Sequence, residues 1–77
     1  MATASPIQYT ASGSEGSVVV FTALIAKIIL LAFLGDNIVS PVLSAPDVDS
    51  YVFDTSTGTI TFGAVIQPNQ IITILYR

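Results

Sequence analysis

The sequence predicts a small all-β domain, an antiparallel β-sandwich or barrel of about seven short strands. Three observations point that way. Apolar and polar residues alternate with period two through SYVFDTSTGTITF, on both sides of Asp54-Thr55-Ser56-Thr57-Gly58. The most apolar run, Val18–Leu34, is rich in β-branched residues and presents no polar face, so it does not suit a soluble amphipathic helix. Turn residues punctuate the remaining chain at short intervals.

Taken in order, the elements begin with PIQYTAS, the first candidate strand. It lies in a small, polar, Ser/Thr/Gly-rich N-terminus, and residues 1–16 read as a flexible arm before a single β domain at 17–77. The apolar run divides near Ile25-Ala26-Lys27 into SVVVFTAL and KIILLAFL, each of ordinary strand length, with Lys27 at an exposed turn or strand start. Gly35-Asp36-Asn37 supplies the chemistry of a chain reversal. In NIVSPVLS, Pro41 argues for an edge strand or a bulge, because it cannot donate to a ladder. A hairpin follows around Asp54–Gly58. Pro68-Asn69 marks another turn, and QIITILYR closes the chain as a strand.

The alternative reading of Val18–Leu34 is a membrane helix, which would make this a small single-pass membrane protein. Spanning a bilayer takes roughly 17–25 predominantly apolar residues, and the run barely qualifies. Lys27 sits near its middle at a cost of about 2.5–3.5 kcal/mol. Glu15 and Asp36 flank it, with no cationic cluster to set an orientation. Strands are the better expectation. No cationic region precedes the run, so a secretory signal is not expected either.

At 77 residues the chain holds one domain and one small core. It has no Cys for a disulfide or redox centre and no His for the usual transition-metal sites. Hydrophobic residues make up 52% and charged residues only 9%, with a mean hydropathy of +0.79. So small a body cannot enclose that much apolar surface, and a partner is implied. The net charge of −3 leaves only Lys27 and Arg77 as cations, too few to displace counterions from nucleic acid.

Catalytic, cofactor-binding and metal-ligating residues are not expected. Lys27 has no neighbouring Ser to activate and reads as a solvated turn residue. Asp47 and Asp49 form a D-x-D pair without calcium-loop spacing and read as a loop whose carboxylates bond nearby backbone amides. Phosphate-cradling glycine motifs are absent. Tyr9, Tyr51, Tyr76 and the four Phe residues suit either a sugar-binding platform or, preferably, core and subunit contacts. The candidate subunit-interface residues are Val18, Val20, Ile29, Leu31, Phe33 and Tyr76.

The pattern IQYTASGSEGS…TAL…KIILLAFLGDNI…YVFDTSTGTITFG…PNQIITILYR resembles small β-rich structural proteins of tailed bacteriophages: head-fibre, capsid-decoration and tail-fibre attachment modules. The likeness runs from Pro6 onward and is clearest in the closing hairpin, Pro turn and final strand. It implies a non-enzymatic virion component, assembled in the host cytoplasm. Such a component would associate with copies of itself and dock on a larger capsid or tail protein without any cofactor. On this reading the arm becomes ordered across a neighbour, and deleting residues 2–15 weakens docking while leaving the fold intact. The alternatives are the single-pass membrane protein and a glycan-binding β-module.

Overall fold

The computed structural model describes residues 5–77 and is all-β, with seven strands in one sheet that curls into a half-barrel. The strands are β1 (Ser5–Thr10), β2 (Val18–Val20), β3 (Ile29–Leu34), β4 (Asn37–Pro41), β5 (Ser50–Asp54), β6 (Thr59–Phe62) and β7 (Ile71–Tyr76). Across the sheet they run β1-β7-β3-β4-β5-β6-β2, so β1 and β2 are its two free edges. Each expected strand is present, and the all-β class is confirmed.

The apolar run does not form a helix. It carries β2, a 3₁₀ turn at Thr22–Leu24, and β3. The break falls at the 3₁₀ turn and the Ile25-Ala26-Lys27 segment that follows it. Ala26 takes a φ of 61°, and Ile28 begins a reciprocal pair of backbone hydrogen bonds with Arg77 at 2.8 and 2.9 Å. β2 is therefore shorter than SVVVFTAL implied. No helix among the described residues is long and apolar enough to cross a membrane, which removes the reading of residues 18–34 as a helical span.

Five strand pairings are antiparallel, and the pairing of β4 with β5 is parallel. The expectation of an antiparallel sheet is corrected at that one point, and the reason lies in the loop 42–49. It carries the chain back so that Ser40 N–H donates to Asp49 O at 2.9 Å and Val42 N–H to Tyr51 O at 2.8 Å. The nitrogen of Pro41, between them, points away from β5 to where β3 no longer pairs, so no donor is lost. β4 is thus an interior strand, not an edge. The Ser50 hydroxyl donates to Asp47 O at 3.2 Å and accepts from Asp47 N–H, which pins the loop. Its backbone presses on Gly63, where a Cβ would fall 2.0 Å from Asp47 O, so only glycine fits.

A second correction concerns the N-terminus. Residues 5–10 are not a free arm: they form β1, paired with β7 from Ser5↔Tyr76 to Thr10↔Ile71. Ile7 and Tyr9 drop onto the core beside Ile72 and Ile74, and that burial holds the strand in place. Residues 1–4 of the expected arm lie outside the described residues.

The core fills the concave side of the half-barrel. Ile72 and Ile74 from β7, Ala32 and Leu34 from β3, Val39, Tyr51, Ile60 and Phe62 pack there with Leu24 of the 3₁₀ turn and Ile66. The buried positions alternate along β6 and β7, as a sheet with one dry face requires. The β5–β6 turn is held by Asp54, which accepts from Ser56 Oγ at 2.6 Å and Ser56 N at 3.0 Å. Gly58 completes it at φ +74°, with its Cα so close that an added Cβ would meet Phe21 O at 2.1 Å.

Candidate assembly surface

Residues paired across neighbouring strands share a face, so the registers define what the convex side presents. Across β1, β7 and β3 lies the row Pro6, Leu75, Leu31. The next row runs Gln8, Thr73, Phe33 and, on β4, Ile38, and a third pairs Thr10 with Ile71. Leu31, Ile38 and Ile71 are 43%, 59% and 46% exposed, while Phe33 and Leu75 are half-buried among them. Five large apolar side chains therefore stand together outside the core, and no charged residue shares these rows. At the other end of the sheet, Val52, Thr61 and Val18 form a smaller row, with Val20 beside Thr59.

Four of the six expected interface residues occupy this convex side: Val18, Val20, Leu31 and Phe33. Ile29 and Tyr76 do not. They pair with each other and pack against the core. Strict alternation along β3 would put Ile29, Leu31 and Phe33 on one face, but the register shifts between Ile29 and Leu31. Leu30 is the extra residue of a bulge, and a bulge reverses the sense of every side chain on one side of it. Ile38, Ile71 and Leu75 were not singled out from the sequence. Alternation in QIITILYR already groups Ile71 with Leu75; what was missing was the pairing of β7 with β3.

The remaining chemistry-bearing residues are structural in placement. Lys27 is exposed at its turn. In the 42–49 loop the hydrogen bonds are made by the backbone of Asp47 and Asp49 and by Ser50, which corrects the expectation that the two carboxylates bind the amides. No three His, Cys, Asp or Glu side chains gather among the described residues. Tyr51 is buried, and Tyr9 and Tyr76 pack on the core, so the three tyrosines form no exposed platform for a sugar.

One polar cluster was not foreseen. Glu15 accepts from the Tyr9 hydroxyl, from Ser12 N at 2.8 Å and Oγ at 3.1 Å, and from Gly13 N at 2.9 Å. The Tyr9 hydrogen bond, then the Ser12 amide, hold its carboxyl down at about 2, and the same bond raises Tyr9. The sequence signal is the S-x-x-E spacing of Ser12 and Glu15, in which a carboxylate reaches back to an amide three residues earlier. This cluster ties the connection between β1 and β2 beside a cleft of about 260 Å³ lined by Tyr9, Glu15 and Val18–Phe21. The rings of Tyr9 and Phe21 meet edge to face at 5.9 Å within it.

Fold and surface together define a small half-barrel β-module whose convex side carries an apolar cluster over β1, β7, β3 and β4, with Asp54 in the Val20–Thr59 row at the other end. Compared with protein families, with curated proteins and with solved structures, the chain finds no match. The functional reading rests on the surface itself.

Proposed function

We propose that the protein is a non-enzymatic structural subunit that associates with copies of itself and docks on a larger protein assembly. The observation that carries this reading is the convex cluster of Leu31, Phe33, Ile38, Ile71 and Leu75, outside the core and free of charge. A second copy suits it because two such uncharged faces meet without repulsion, although each chain carries a net −3. The larger assembly we infer is a bacteriophage particle. What supports that setting is the resemblance from Pro6 onward, together with the all-β fold.

Magnitudes set the strength of the contact. Four strands about 4.8 Å apart and about six residues long cover on the order of 400 Å². A standard stable interface buries about 800 Å² on each partner. One convex face alone thus gives a weak, concentration-dependent contact, and repetition within an assembly supplies the remaining avidity.

Sedimentation velocity over a concentration series tests the reading, with a Leu31→Lys, Ile38→Lys double variant as comparison. The native chain should shift to larger species with concentration, and the variant should need at least tenfold more protein to do so. A native chain that stays monomeric throughout, or a variant that associates equally well, overturns it.

A further inference from the structure

The hydrogen bonds of β2 show which way its backbone faces. Phe62 N–H donates to Ser17 O at 2.8 Å and Phe21 N–H to Gly58 O at 2.9 Å, so the groups of Ser17, Val19 and Phe21 point towards β6. Those of Val18 and Val20 point the other way, off the sheet. Of these, Val18 N–H has only a long contact of 3.4 Å to Glu15 O. The side chains of Val18 and Val20 are exposed on the convex face, while Val19 is buried on the concave one. β2 carries none of the devices that blunt an edge: no Pro, no Lys and no bulge. The opposite edge differs. Outward-facing positions of β1 are Pro6, Gln8 and Thr10, and Pro6 has no N–H to offer.

We infer that β2 is an assembly edge, which pairs antiparallel with β2 of a second copy across a two-fold axis through Val19. Val18 then opposes Val20 of the partner subunit, and the outward groups of both are met without any other sequence. The two sheets join edge to edge, and four valines cluster across the convex side of the join. The β-branched side chains suit such a cross-strand cluster.

The shortness of β2 favours a folded copy over a flexible peptide. A three-residue ladder returns few hydrogen bonds, and ordering each residue of a free peptide costs about as much as one bond gives back. An edge already held in a sheet loses little on pairing. This contact rests on the self-association reading and adds to the convex face, whose footprint is smaller than a stable dimer needs.

Because the chain has no Cys, engineered thiols report the pairing directly. Directly opposed residues of a hydrogen-bonded antiparallel pair have Cα atoms about 5.5 Å apart, within disulfide range. A Val18→Cys protein mixed with a Val20→Cys protein should cross-link under mild oxidation several-fold more than either alone. In sedimentation, Val20→Pro should weaken association at least tenfold with its strand spectrum retained, since the Val20 N–H makes no bond to β6. Association of the native chain without preferential cross-linking of the mixed pair overturns the edge contact and leaves the convex face standing. A native chain that never associates overturns both.

Discussion

At the residue scale, one carboxylate ties down the connection between the two free edges. Glu15 is held at about 2 by the Tyr9 hydroxyl and by the amides of Ser12 and Gly13, well below the usual range of a free carboxyl. A group with a depressed folded pKa contributes stability that is complete above its unfolded value and is lost as pH falls through the folded one. The window here runs from about pH 4.5 down to about 2. Asp54 is also lowered, first by the Ser56 hydroxyl, and adds to the same acid limb. Tyr9 is raised by the same bond, so its share is present below about pH 10 and fades above it. Glu15→Gln keeps the shape and removes the charge. Its melting temperature should lie below that of the native chain at pH 6, and the gap should close as pH approaches 2. A gap that stays constant over that range would show that the ionised carboxylate contributes nothing.

At the scale of elements, β1 and β3 carry the lessons. Ile7 and Tyr9 sit on the core against two fully buried residues of β7, Ile72 and Ile74. Removing residues 2–10 uncovers both and turns β7 into an edge. The loss should be on the order of 3 kcal/mol, from the partial burial of Ile7 and Tyr9 and the uncovering of Ile72 and Ile74 together. Urea denaturation of the truncated chain checks this, and an unchanged midpoint would restore the free arm. The strand pattern in PIQYTAS is legible in the sequence, but its polar surroundings in residues 1–16 hide that it pairs with β7 instead of standing free. β3 is the strand its residues imply, with a turn after it, but Ile29 lies on the core face. A bulge at Leu30 depends on how β3 meets Tyr76 and Leu75 of β7, strands far apart in the chain. No local pattern records it.

At the scale of the whole molecule, a short chain has put its apolar excess in two places. One is the concave core; the other is the convex cluster of Leu31, Phe33, Ile38, Ile71 and Leu75, whose rows hold no charged residue. Contacts made through that face should be insensitive to ionic strength, because screening weakens only charge–charge terms. Raising salt from about 0.05 to 0.5 M should leave the sedimentation midpoint unchanged, or strengthen association by relieving the repulsion of net negative chains. Dissociation by salt would point instead to an ionic interface, built on Lys27 or Arg77 against the acidic loops.

The sequence by itself determined the strands and most of the turns. Those follow from period-two alternation, from β-branched residues and from turn residues between them. The tertiary structure decided the sheet order, the parallel pairing of β4 with β5, the face taken by Ile29 and Tyr76, and which edges stay open. These depend on pairings between residues distant in the chain, where a shift of one residue reverses a face without changing any local preference.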